Sequence, residues 1–275
     1  MPVRIGQPGA INRARIGTAL NPSVAEPSRR AAPAPLRNPP VVEAILDVHV
    51  VPGKDATLEG LKSLGETVDR EFPTRTTRKS FSGRFQVTES GVEAASDSHV
   101  EGYLFRSLDG RRVVQAKMTG FVFNQLQPYP GWDSFIGTAW PLWETYAARF
   151  KPAMVERVGI RFLNRIPVRP DEPLEAHLET RPNLPGALGL QLGGFFMALD
   201  LADTKRGLQA TVTQTLEPPG KLGDAPSLIV DLEVFKQLRT DAGDSEVRRT
   251  VDALRDFKNH VFETSLTQAT RSRFE

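Results

Sequence analysis

The chain of 275 residues contains no cysteine, few histidines and no long apolar run, and each absence excludes a class of site. Without cysteine there is no disulfide, no thiolate nucleophile and no cysteine-ligated zinc or iron–sulfur centre. No stretch stays apolar over the roughly 18 residues that a membrane-spanning helix needs. The histidines form none of the spacings that metal sites use: His49, His99, His177 and His260. We therefore expect no cofactor, no metal and no membrane contact, and a cytoplasmic location.

Motifs of the common catalytic and nucleotide-binding folds are also missing from the sequence. There is no glycine-rich phosphate loop, no dinucleotide-binding glycine fingerprint and no nucleophile elbow around a serine. The N-terminus has arginines but lacks the apolar segment of a secretory signal. The sequence therefore favours a non-catalytic protein, although an enzyme that uses carboxylates or His49 together with arginines is an alternative.

Positive charge is concentrated at the N-terminus. Residues 1–40 contain six arginines and one acid, Glu26, whereas the whole chain has a formal charge of only +2. The remaining residues are therefore net acidic, which argues against a uniformly basic nucleic-acid-binding domain. Residues 1–37 are rich in Pro, Ala, Arg and Ser without an apolar period, and we interpret them as a flexible basic arm. A solvated leader without a dedicated role is favoured over a tether or a nucleic-acid contact.

From residue 38 onward, the chain repeats one order of elements. Each half, 38–151 and 152–275, is predicted to contain a strand, a helix, several antiparallel strands and a long helix. The helices are predicted at residues 56–71, 132–150, 172–181 and 245–264, the last with Ser245 as its N-cap. We predict an α+β fold of two similar halves, which suggests internal duplication. By analogy alone, this order is similar to the TATA-box-binding-protein-like and helix-grip folds.

The segment VERVGIRFLNRI, residues 155–166, carries three arginines four residues apart. Its β-branched and aromatic residues favour a strand over a helix. A period of two then places Arg157, Arg161 and Arg165 on one face and an apolar set on the other. The sequence therefore predicts a strand with one basic face.

Carboxylates occupy the polar faces of other predicted strands. The arginines either form cross-strand ion pairs with these acids, each contributing roughly 0.2–1 kcal/mol, or line a concave face that grips an anionic ligand or a partner's carboxylates. Guanidinium suits both tasks, so its chemistry alone does not decide between them; of the two, we favour the ion pairs. The candidate ligand- or partner-binding residues are Glu43, Asp47, His49, Arg157, Arg161, Arg165, Asp231 and Glu233.

Several motifs in the body of the chain resemble a sporadically distributed bacterial family of proteins of similar length. They are NPPVVEA at 38–44, Tyr129-x-x-Trp132-x-x-Phe135, RVGIRFLNRI at 157–166, and Asn259 with Phe262. The match spans nearly all of the body and leaves out the arm. The resemblance implies a shared fold and no established activity.

Taken together, these patterns favour recognition without catalysis. We expect an accessory or adaptor subunit that binds through its polar sheet faces. The first candidate partner is another protein or a peptide, followed by an anionic small molecule and by nucleic acid bound through the arm; a homodimer is a further alternative. The aromatic residues between positions 129 and 146 are expected to lie in the core rather than to form a base-stacking platform.

Overall fold

The computed structural model describes residues 36–88, 91–169, 172–190, 192–219 and 225–275, with the backbone alone for residues 81–97. Residues Leu36–Glu275 form one compact unit. The predicted basic arm at residues 1–37 lies almost wholly outside the described residues. Among the described helices, none is long and apolar enough to cross a bilayer.

Within the described residues, the strands form one antiparallel sheet, and the α-helices range in length from 5 to 21 residues. The strands are β1 (Val41–Val51), β2 (Thr74–Thr88), β3 (Gly91–Arg106), β4 (Arg112–Lys117), β5 (Gly120–Leu126), β6 (Met154–Pro167), β7 (Phe196–Asp203), β8 (Leu208–Glu217) and β9 (Ser227–Thr240). The helices are α1 (Leu58–Val68), α2 (Trp132–Phe150), α3 (Ser245–Ser265) and the short α4 (Gln268–Ser272), with 3-10 turns at Leu174–Ala176 and Gly186–Leu188. The predicted α+β class is confirmed.

The strand order is β2-β3-β4-β5-β1-β6-β9-β8-β7, so the first strands of the two halves pair at the centre of the sheet. Outward from β1 and β6, each side continues with the last strand of its own half, β5 or β9. The first side has five strands and the second has four. A mirrored order is what two similar halves would produce, but internal duplication itself stays a prediction.

The helix predicted at 172–181 is wrong, since only Leu174–Ala176 forms a single 3-10 turn. The reason is tertiary: Glu179 N donates to the carbonyl of Ser265, and the carbonyl of His177 accepts from Thr267 N. Backbone groups that a helix would use internally are therefore bonded to the last residue of α3 and to the segment that follows it. The second half consequently departs from the predicted strand–helix–strands–helix order.

One face of the sheet is covered by the helices and forms the core. A period of two along β1 and β6 buries one face of each strand, and the helices bury their apolar stripes against it. The main contributors are Ala44, Leu46 and Val48 from β1, Val158, Ile160 and Phe162 from β6, and Val247, Val251 and Leu254 from α3. Trp143 and Tyr146 of α2 are also buried, as predicted. We call the opposite side of the sheet, which carries the partly exposed and exposed side chains of β1 and β6, the open face.

Candidate functional site

The open face brings together all of the predicted binding residues on three neighbouring strands. β6 pairs with β1 on one side and with β9 on the other. Their register places Arg161 opposite Ile45 of β1 and Glu233 of β9. Gly159 lies opposite Asp47 and Phe235 in the same way. The predicted strand with a basic face is therefore confirmed, and it is flanked on both sides by strands that carry acids.

Arg157 occupies the centre of this arrangement and is the most enclosed of the three arginines. Its Nη1 donates to Oδ2 of Asp47 at 3.1 Å, and its Nη2 donates to Oε1 of Glu233. Its Cζ lies 4.2 Å from the ring centroid of Phe235, and the side chain is 13% exposed. The guanidinium lies across the backbone of Gly159, where a side chain would obstruct it. One arginine thus connects β1 to β9 across β6.

Arg161 and Arg165 form ion pairs with acids from the neighbouring part of the sheet. Arg161 binds Asp231 through two hydrogen bonds, from Nε to Oδ1 at 2.8 Å and from Nη2 to Oδ2. The hydrogen bonding to Asp231 raises the pKa of Arg161 above its already high value, despite partial burial. Arg165 contacts Glu217 at 2.6 Å, an acid that the sequence did not single out. All three guanidiniums therefore have carboxylate partners, and the geometry favours the ion-pair alternative.

Asp47 and His49 form a pair at the same centre. His49 Nε2 donates to Oδ2 of Asp47 at 2.9 Å. Burial by itself raises the pKa of Asp47, but the hydrogen bond with His49 and the charges of His49, Lys117 and Arg157 outweigh it, so the pKa lies below its usual value. A carboxylate held in this way is a poor proton acceptor at neutral pH. The predicted enzyme alternative gains no support from Asp47.

A row of amide side chains continues the polar network and was missed from the sequence. Asn124 Nδ2 donates to Oε1 of Glu43 at 2.8 Å, and Gln115 Nε2 donates to Oδ1 of Asn124 at 3.0 Å. Arg78 Nη1 then donates to Oε1 of Gln115 at 2.9 Å, and its Nε to Oε2 of Glu101 at 3.2 Å. Glu43 thus pairs with an amide rather than with an arginine. The alternation of side-chain direction along RRVVQAK and FVFNQL could have predicted this row, since it places Gln115 and Asn124 on one face of the sheet.

A shallow depression of about 180 Å³ lies between the ion pairs of the arginines and the row of amide side chains. Ile45, Val122 and Gly159 give it an apolar centre, and Gln115 and Arg161 are among its polar neighbours. Sites for drug-sized molecules usually occupy about 300–1,000 Å³ and enclose most of the ligand. The depression is therefore suited to a protruding side chain rather than to a whole small molecule. Among the described residues, no cluster of three or more potential metal ligands occurs.

Comparison of the chain with protein-family models and with curated proteins finds no match. The resemblance to a bacterial family stays a prediction for this reason.

Proposed function

We propose that this chain is a non-catalytic recognition protein, an accessory or adaptor subunit that binds another protein or a peptide through the open face. The observation that carries the proposal is the central network, in which donors and acceptors are held in fixed positions around a small apolar depression. Preorganised polar groups lower the entropy cost of binding, and mixed charges select a complementary partner. The proposal includes a cytoplasmic location, which fits the cysteine-free sequence.

The balance of charge on the open face supports a polypeptide partner over nucleic acid. Each arginine of β6 is accompanied by a carboxylate, so an approaching phosphate would meet acids beside every guanidinium. Nucleic-acid binding depends on uncompensated lysine and arginine near the phosphates. That alternative therefore rests on the predicted arm at residues 1–37. An anionic small molecule faces the same competition from Asp47, Asp231 and Glu233.

The test places a bulky cation in the centre of the depression. Ile45→Arg fills the apolar centre beside Arg161, whereas the control Gly137→Arg adds the same group on α2, where a side chain has open space. Tagged full-length variants, checked for equal thermal unfolding temperatures, are used to purify partners from the native cell. Co-purifying proteins are quantified by mass spectrometry.

We expect a specific protein to be recovered with the wild type and with Gly137→Arg, and to be lost with Ile45→Arg. Equal recovery with both variants would contradict the role of the open face. Recovery of the chain alone would contradict the adaptor role. Recovery of a differently tagged copy of the same chain, again lost with Ile45→Arg, would replace the adaptor with a homodimer.

A further inference from the structure

Two cations on the helical side of the molecule lack the acid partners that the open face provides. Arg255 and Lys258 lie one turn apart on α3, and neither has a carboxylate within ion-pair distance among the described residues. The Cζ of Arg255 lies 5.2 Å from the ring centroid of Trp132, and the Nζ of Lys258 lies 4.2 Å from that of Phe162. Both residues are partly exposed, although the ammonium group of Lys258 is largely desolvated. They reach from α3 towards the start of α2 and the central strand β6.

A neighbouring arginine on the same helix lies over an aromatic ring and does have an acid partner. Arg248 lies over the ring of Trp140 at 5.1 Å, which is the same type of contact that Arg255 makes with its tryptophan. Arg248 also has Asp252 at 3.6 Å. The stacked geometry is thus compatible with an acid partner, and Arg255 and Lys258 differ from Arg248 in having none.

The rings beneath the two cations contact one another, and one of them carries a hydroxyl group. Phe162 contacts Tyr129 edge-on at 5.6 Å and Trp132 in a stacked arrangement at 6.5 Å. Tyr129 is partly exposed, and its hydroxyl makes no hydrogen bond to any described residue. Burial raises the pKa of Tyr129, so the hydroxyl keeps its proton and can act as a donor. Arg255, Lys258 and Tyr129 therefore offer donors without an acceptor in the described part of the chain.

The electrostatics of this cluster favour a bound anion. Desolvation, with a contribution from the charge of Arg255, lowers the pKa of Lys258 to about 8, although Glu263 acts in the opposite direction. The charge of Glu263 acts on Lys258 and that of Asp133 acts on Tyr129, but neither acid is within ion-pair distance of the two cations. Gly131 gives α2 no side-chain cap, so the positive end of that helix adds to the field. An anion placed here would relieve the repulsion between the two cations.

We propose that Arg255, Lys258 and the hydroxyl of Tyr129 form a binding site for an oxyanion, a carboxylate or phosphate group, at the junction of α3, the start of α2 and β6. The site is on the face of the sheet opposite to the open face. It is therefore independent of the proposed protein-binding function. Guanidinium and ammonium groups both bind carboxylate and phosphate through charge-assisted hydrogen bonds.

The test uses the full-length chain with inorganic phosphate and, separately, with acetate. Affinity is measured by calorimetry, and the pKa of Lys258 is followed by NMR of its Cε group. We expect saturable binding that raises the pKa of Lys258 from about 8, because a bound anion stabilises the ammonium. Binding of phosphate alone identifies a phosphate site, and binding of acetate alone identifies a carboxylate site. Binding of neither overturns the proposal.

Variants separate the site from general attraction to a basic helix. Arg255→Met and Lys258→Met should each weaken binding about tenfold or more, because each removes a charge-assisted contact. Lys258→Met places an apolar group over Phe162 and is expected to fold. The control Arg248→Met should change the affinity by less than about twofold. Equal losses in Arg255→Met and Arg248→Met would overturn the proposal.

Discussion

Among single residues, Gly159 determines whether Arg157 can connect three strands. A Cβ at this position would lie 3.1 Å from Nη1 of Arg157 and 3.4 Å from Cβ of Phe235. The guanidinium cannot move away without weakening its contacts with Asp47 and Glu233. We expect Gly159→Val to lower the free energy of unfolding by about 1–3 kcal/mol, measured by urea denaturation. In an Arg157→Ala background the same substitution should cost clearly less, and equal costs in both backgrounds would contradict this account.

Asp47 makes the central ion pairs sensitive to acid. Its pKa is lowered in the folded protein because the hydrogen bond with His49 and the nearby positive charges outweigh the effect of burial. Such a carboxylate stabilises the fold above its unfolded pKa of about 4 and loses that contribution as the pH falls through the folded pKa. We expect the wild type to be more stable than Asp47→Asn at neutral pH. The difference should shrink as the pH falls below about 4; thermal unfolding that shows a constant difference down to pH 2 would contradict it.

At the scale of elements, the start of α3 depends on a residue next to the one predicted. Ser245 was the predicted N-cap, but Asp244 fills this role by accepting a hydrogen bond from Glu246 N at 2.7 Å. Ser245 Oγ instead accepts from Nη1 of Arg249. We expect Asp244→Ala to lower the free energy of unfolding by about 1 kcal/mol and Ser245→Ala to have a smaller effect. Thermal unfolding of both variants tests this, and equal effects would show that the cap is shared.

Strands and helices with a clear hydrophobic period could be predicted from the sequence, whereas contacts between strands remote in sequence could not. The alternation in β1 and β6 correctly separated the core face from the open face, because side-chain direction follows directly from position along a strand. The partners on the open face depend on strand order and register, which local sequence does not specify. Arg165 therefore pairs with Glu217, and Glu43 with Asn124, neither of which was expected. The helix predicted at residues 172–181 is wrong for a related reason, since His177 and Glu179 form backbone hydrogen bonds with residues far along the chain.

At the scale of the whole molecule, the pairing of β1 with β6 joins the two halves into one sheet. The ladder extends from Val41 to Val51 on β1, and Leu46 and Ile160 are buried beside it on the helical side. A shared core and a continuous ladder leave no surface at which the halves could separate without exposing apolar side chains. We therefore expect the two halves to unfold together.

The tryptophans provide a direct test of this cooperativity, because all three lie in α2, within the first half. Leu232 is buried in β9, in the second half, and Leu232→Ala should lower the free energy of unfolding by about 2–5 kcal/mol. If the sheet unfolds as one unit, tryptophan fluorescence and far-UV circular dichroism should show the same lowered midpoint. The matched variant Leu61→Ala, in α1 of the first half, should likewise give coincident midpoints. Fluorescence that keeps its wild-type midpoint in Leu232→Ala, while circular dichroism shows two transitions, would mean that the halves are separate folding units joined only at β1 and β6.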